Sequence, residues 1–224
     1  MVEIEASSGQ EGARATAPRE PVGIVLHAPR YYDLIVRLAL GRERAFRERL
    51  LALAELRRGD RILDVGCGTG SLAILAKRSV GPAGAVCGLD ASARMLARAR
   101  VKARRAGQEV HFQEGLAQAL TFPDATFDVV LSTMMLHHLP RPARMQLAFE
   151  ARRVLKPAGH MLVVDFQRGA HGKTRWWALH QRHGGVDPRE IAALLSGAGL
   201  RVAAEGPIGI SNLYFVLATI QRGS

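Results

Sequence analysis

The segment Ile62-Leu63-Asp64-Val65-Gly66-Cys67-Gly68-Thr69-Gly70 constrains this chain more than any other. A short apolar run closes on glycines at alternate positions, and a helical pattern begins at once. A strand that ends this way turns sharply and brings bare backbone up to whatever lies at its tip. The helix that follows presents N–H groups without intrahelical partners, which suits an anionic group. The third glycine falls one residue earlier than in the dinucleotide fingerprint, where Ser71 stands instead, so the pattern is G-x-G-x-G. Alone, such a loop is a weak signal; its neighbours strengthen it. A second apolar run, Gly84 to Leu89, closes on Asp90, about 20 residues past Gly70, where a carboxylate suits a ribose hydroxyl pair. A third run, Val110-His111-Phe112, leads into Glu114-Gly115. A fourth, Phe127 to Ser132, follows a turn at Pro123-Asp124. The expected ligand is a nucleotide-like cofactor.

Composition narrows the class. At 224 residues and 48% hydrophobic content the chain is expected to form one domain with a sizeable core. The two cysteines, Cys67 and Cys87, form neither a disulfide framework nor a metal cluster, and no ligand spacing suggests a metal. No apolar run is long enough to cross a bilayer and no signal-peptide core is present, so the expected location is cytoplasmic. The formal charge of +11 is mostly arginine. Arg94, Arg98, Lys102 and Arg105 recur at helical spacing and read as a solvated face. With aromatics at 5% there is no basic block interleaved with rings, which disfavours nucleic acid. A peripheral contact with an anionic membrane stays open.

Residues 1 to 20 read as a disordered tail and 21 to 224 as a single domain. Tyr31 to Leu56 reads as helical, forming an N-terminal cover over 21–58, with Phe46, Leu50 and Leu53 as its apolar stripe. Strands then alternate with helices, as in a mostly parallel sheet covered on both faces. A helix is expected over Ala143–Leu155 and a fifth strand over Met161–Val164. A further helix near Ile191 opens on a capping box, Asp187 and Glu190 around Pro188, and closes near Gly199. Leu200–Ala204 and Leu213–Ile220 are expected to pair as an antiparallel hairpin through Gly206-Pro207. Between the fifth strand and the capped helix, residues 166–186 hold Trp176, Trp177, His171, His180 and His183, and read either as a cover over a substrate cleft or as a plug at the sheet edge.

These motifs resemble those of the class I S-adenosylmethionine-dependent methyltransferases, in the small-molecule branch that includes the ubiquinone and menaquinone enzymes. The resemblance rests on the glycine loop and Gly88-Leu89-Asp90-Ala91-Ser92 with Met95-Leu96. It continues through Leu120-Thr121-Phe122-Pro123-Asp124, Leu136-His137-His138-Leu139 and Arg153-Val154-Leu155-Lys156-Pro157-Ala158-Gly159, and covers roughly residues 30 to 165. It implies an α/β, Rossmann-like fold of seven strands with the last antiparallel. It implies S-adenosyl-L-methionine as cofactor, held by Asp64, Gly66, Cys67, Gly68, Thr69, Gly70, Asp90, Ala91, Met95, Leu116, Ala117 and Ser132. Asp64 either meets the amino group or braces the loop; Met95 either borders the adenine or fills helix core. Where family members often carry an acid that accepts from the adenine amino group, this chain has Leu116, which cannot, so the base would rest on the Ala117 backbone, Gln118 or apolar packing. Ala158 stands where a glycine is usual.

A sulfonium methyl is already activated, so alignment and exclusion of water matter more than a catalytic constellation. On the acceptor side the candidates are Ser132, Met134, His137 and His138, a histidine being able to take a proton from the acceptor or else to brace the loop. Tyr32, followed by Asp33, resembles the tyrosine that lies over the cofactor in this branch, with helix packing as the other reading. The expected activity is methyl transfer to a small or lipid-like acceptor, a quinone-type ring or a phospholipid amine. The alternatives are a nucleic-acid methyltransferase, although Ser132-Thr133-Met134-Met135 replaces the Asn/Asp-Pro-Pro-aromatic signature, and a non-catalytic cofactor-binding protein.

Overall fold

In the computed structural model the described residues are 43–168, 185–210 and 212–220. The tail of residues 1–20, Tyr32 with most of the N-terminal cover, and Trp176, Trp177, His171, His180 and His183 of the cover stretch lie outside them.

Seven strands form one sheet in the order β3-β2-β1-β4-β5-β7-β6. They are β1 Arg61–Val65, β2 Ala85–Asp90, β3 His111–Glu114, β4 Phe127–Thr133, β5 Leu155–Phe166, β6 Leu200–Pro207 and β7 Leu213–Ile220. Only β7 runs against the rest, pairing antiparallel with both β5 and β6. Connections from β1 to β2 run one way along the sheet and the later ones return to the other side of β1. The strand order therefore reverses between β1 and β4, the place where α/β sheets open a crevice beyond their carboxyl ends.

Among the described residues five α-helices cover the sheet: α1 Glu43–Leu53, α2 Ser71–Val80, α3 Ala93–Arg105, α4 Arg141–Val154 and α5 Pro188–Gly197. Apolar residues at helical spacing decide which face each covers. Phe46 and Leu50 of α1, Leu72, Ala73 and Ala76 of α2, and Leu96, Ala99 and Ala103 of α3 pack with Ile62, Val129 and Leu131. Leu147, Ala151 and Val154 of α4 and Ile191 and Leu195 of α5 pack with Leu63, Val130 and Met161 on the opposite face. His160 Nε2 lies 2.7 Å from the Ala54 carbonyl and fastens the end of α1 to β5.

Three expectations need correction. The fifth strand starts at Leu155, directly after α4, because Phe127 of β4 pairs with Leu155 across an irregular step in register. Gly206 and Pro207 belong to β6, where they pair with Phe215 and Tyr214, and the connection is made by the residues after them. Pro207 is tolerated because β6 is an edge strand. Asp187 does cap α5, accepting from the Arg189 N–H, but Glu190 turns away from that cap and bonds Arg144 instead.

Candidate active site at the carboxyl ends of β1, β2, β4 and β5

The glycine loop is built from backbone. Gly66 and Cys67 both donate to the Leu89 carbonyl, at 2.8 and 3.0 Å, and Gly70 donates to the Cys67 carbonyl. Gly66 adopts φ +72°, and a Cβ there would run into the Met135 side chain, coming within 2.9 Å of its Cβ. Any other residue would therefore be strained twice, by conformation and by contact. Gly70 serves as N-cap of α2 in the left-handed region, with no side-chain cap hydrogen bond and no acid in the first turn of the helix. Thr69 is buried and its Oγ1 accepts from Lys102 Nζ at 3.0 Å, while Ser71 Oγ lies 2.5 Å from the same Nζ. Lys102 is thus no solvated-face residue; it ties α3 to the loop.

Asp64 and Asp90 close neighbouring strands and differ sharply. Asp90 Oδ2 accepts from the Gly68 N–H at 2.8 Å and Oδ1 from the Ser92 N–H at 2.9 Å. Burial raises its carboxyl above the ordinary value while those two N–H bonds draw it back. Each oxygen keeps one lone pair for a ligand hydroxyl. Asp64 is 1% exposed and neither of its oxygens has a hydrogen-bond partner. Burial pushes its carboxyl up to about 7, against a smaller downward pull from the buried Arg47 guanidinium of α1; the Ala73 N–H lowers it slightly without reaching hydrogen-bond geometry. A buried carboxylate without partners is costly, and its cost is removed when a cation arrives.

Around this pair, Met95 is 2% exposed and Ala91 is half-buried. Burial raises the Cys67 thiol well above its ordinary value and lifts that of Cys87 to about 12, which disfavours the thiolate at both. In the turn after β3, Leu116 and Ala117 are half-buried and Leu116 bridges to Ala119, whereas Gln118 is 5% exposed with its Nε2 unpartnered. Arg153 donates to the Leu120 and Phe122 carbonyls, and Glu150 accepts from the Leu120 N–H, so α4 holds this turn in place. Ser132, next to Val65 in the β1–β4 register, is fully buried and its hydroxyl has no partner.

The chain leaves β4 through Met134, whose φ of +51° is strained for a residue with a side chain. A single 3-10 turn, Leu136–His138, follows. His137 is buried there and meets Asp165 of β5 twice: its Nδ1 lies 2.6 Å from Oδ1, and its backbone N–H donates to Oδ2 at 3.1 Å. Asp165 Oδ1 also accepts from the Phe166 N–H at 2.7 Å. With a carboxylate accepting at Nδ1, the ring proton belongs on that nitrogen and Nε2 presents a lone pair. The His138 ring stacks obliquely on His137 at 4.0 Å, and Phe166 meets the His137 ring edge-on at 5.3 Å. Sequence reasoning named both histidines and missed Asp165. The available signal was positional, since Asp165 sits near the end of β5 as Asp64 and Asp90 do in β1 and β2. Tyr32 cannot be placed against this group, because it lies outside the described residues. Among the described residues no group of three or more His, Cys, Asp or Glu is set to hold a metal ion.

Comparison with known proteins now bears on the site. The sequence profile described as "Methyltransferase domain" matches residues 62–159, from the glycine strand into β5. The chain belongs to the class I S-adenosylmethionine-dependent methyltransferases. It is 41% identical over 150 residues to a demethylmenaquinone methyltransferase of Thermus thermophilus, covering 65% of this chain and 66% of the relative. It is 38% identical over 121 residues to a 27-O-demethylrifamycin SV methyltransferase of Amycolatopsis mediterranei, covering 53% of this chain and 43% of that one. The chain thus spans between about two fifths and two thirds of these relatives' own lengths. Its fold matches that of a SAM-dependent methyltransferase from Aquifex aeolicus with a TM-score of 0.68 at 24% identity, covering 86% of this chain and 98% of that one.

The donor set at the strand ends fits the family's S-adenosyl-L-methionine. The ammonium of that compound needs a buried anion, its carboxylate needs N–H groups, and its ribose needs an acceptor pair; Asp64, the opening of α2 and Asp90 are of those kinds.

Proposed function

We propose that the protein transfers a methyl group from S-adenosyl-L-methionine to a small acceptor of the quinol or phenol type. The observation that carries this reading is an unpartnered buried carboxylate, Asp64, near the carboxyl end of β1 and an oriented histidine, His137, in the turn that follows the neighbouring strand β4. When bound, the cofactor supplies a methyl group on a sulfonium, ready for displacement. Asp64 receives the ammonium, the backbone of Gly66, Cys67, Gly68, Thr69 and Gly70 faces the amino-acid end, and Asp90 takes ribose hydroxyls through its free lone pairs. Ala91, Met95, Leu116, Ala117 and Ser132 border the nucleoside, with Gln118 Nε2 as the polar group left for the base. His137 Nε2 accepts the acceptor's hydroxyl proton as the oxygen or the ring carbon conjugated to it becomes the nucleophile, and Asp165 holds the resulting imidazolium. His138 lines the acceptor side.

The names of the relatives support an acceptor of this chemistry: one is a demethylmenaquinone and the other a demethylated rifamycin methyltransferase. Exposed Arg94, Arg104 and Arg105 of α3 support a peripheral contact with an anionic membrane, from which a lipid-like quinol would be drawn. Among the described residues no helix is long and apolar enough to cross a membrane.

The test is calorimetric titration with S-adenosylmethionine, followed by incorporation of labelled methyl into a naphthoquinol, into phosphatidylethanolamine vesicles and into RNA. Label in the naphthoquinol is expected. Label confined to the phospholipid or RNA, or binding without any incorporation, would overturn the acceptor assignment.

A further inference from the structure

Arg144 sits in the first turn of α4, the end of a helix that disfavours a cation, and it is only 7% exposed. Such a placement calls for partners, and they are specific. Its Nε donates to the Leu136 carbonyl at 2.9 Å and to the Leu139 carbonyl at 2.8 Å. Its Nη1 bonds Glu190 Oε1 at 3.0 Å, and that glutamate is itself diverted from capping α5. The two carbonyls flank the turn that carries His137 and His138. One turn of 3-10 helix has little stability of its own, because each fixed residue is offset by too few hydrogen bonds. It is held here from both sides, with Asp165 gripping the His137 N–H and ring from β5 while Arg144 grips the carbonyls from α4.

We infer that the Glu190–Arg144 pair is a positioning device for His137, fixing the turn so that the His137 ring stays on Asp165 with Nε2 aimed at the acceptor. The inference rests on the reading of His137 as the base. Glu190 sets the guanidinium, the guanidinium sets the carbonyls of Leu136 and Leu139, and the turn sets the ring. The orientation of the base thereby depends on α5, the helix that immediately follows the stretch leading from β5.

The experiment uses the whole protein labelled with nitrogen-15 at histidine, and records the ring nitrogens of His137 by long-range proton–nitrogen correlation, assigned with His137→Gln. In the wild type a single Nδ1-protonated form is expected. In Arg144→Met this signature should give way to a mixture of ring forms, while the affinity for S-adenosylhomocysteine changes less than about twofold and the melt stays cooperative. Arg144→Lys, which keeps a donor, should recover part of the signature. Glu190→Ala should shift it in the same direction by less, and serves if Arg144→Met does not fold. An unchanged His137 signature in whichever of the two variants folds would overturn the inference, as would loss of the signature only together with loss of S-adenosylhomocysteine binding, which would mark a general structural role. Failure of the wild type to bind S-adenosylhomocysteine would instead sink the proposed function, independently of the ring measurement.

Discussion

The two sides of the crevice handle their buried carboxylates in opposite ways. At the end of β1, Asp64 is enclosed with no hydrogen bond to either oxygen. At the end of β5, Asp165 is equally enclosed and accepts from the His137 N–H, the His137 ring and the Phe166 N–H. The first arrangement leaves hydrogen-bonding capacity open for a ligand, with only the charge of Arg47 opposing its own; the second is complete within the chain. An enzyme that receives a charged, diffusible donor and must hold a base ready for the acceptor needs one of each. Electrostatic tension marks the place a ligand fills, and electrostatic satisfaction marks a preorganised group.

That contrast can be broken most severely on the satisfied side. His137→Ala should lower the rate of methyl transfer by about 10²–10⁴-fold, the usual contribution of a positioned base, and leave the dissociation constant for S-adenosylmethionine within about twofold. Equal loss of both would merge the two sides into one. Asp165→Asn should cost less, on the order of tenfold, because the ring survives without its orienting acceptor.

On the unsatisfied side, Asp90→Ala should weaken cofactor binding by about 1–3 kcal/mol, since it removes the brace on Gly68 as well as the acceptor for the ribose. Calorimetry that returned an unchanged affinity would remove Asp90 from the site. Asp64→Asn sharpens the comparison further, because its effects on binding and stability should have opposite signs. The folded-state value of about 7 lies above the ordinary 3.8. Below pH 4 the group is protonated whether the chain is folded or not. As pH rises from about 4 to about 7 the unfolded chain ionises first, so stability falls across that window and stays low above it, by a few kcal/mol at most. The asparagine variant should therefore melt at a higher temperature than the wild type at pH 8, lose that slope between pH 4 and 7, and bind S-adenosylmethionine more weakly. A lower melting temperature at pH 8 would show that Asp64 is paired in solution.

The smallest effect is a proton count. At pH 7 roughly half of the Asp64 population carries a proton that an incoming ammonium expels, so binding should release up to about half a proton. Titrations in buffers of different ionisation enthalpy measure it, and Asp64→Asn should abolish it.

The sequence was most readable where the physics is local. The glycine loop, the carboxylates ending β1 and β2, and the alternation of strands and helices follow from spacing within a few residues, and the seven strands with an antiparallel β7 follow the resemblance. What escaped reading is long-range. Asp165 lies 28 residues from His137, and nothing in either segment marks them as neighbours. Arg144 and Arg47 were submerged in a net charge of +11 that suggested solvated faces, yet each is only 7% exposed. Glu190 stood in a capping position, and a buried guanidinium outcompeted the cap for its carboxylate. In each case a tertiary partner overrode a sound local preference.

The missing Cβ of Gly66 has one more consequence. The space it leaves is taken up by the Met135 side chain, which belongs to the segment leading to His137. Donor loop and acceptor turn therefore share a surface of contact rather than facing each other across solvent. Grafting the His-bearing segment of another relative to change acceptor preference would import whatever stands at position 135, and a bulkier or branched group there would press on the loop and alter donor affinity too. The two specificities of this scaffold are best redesigned together.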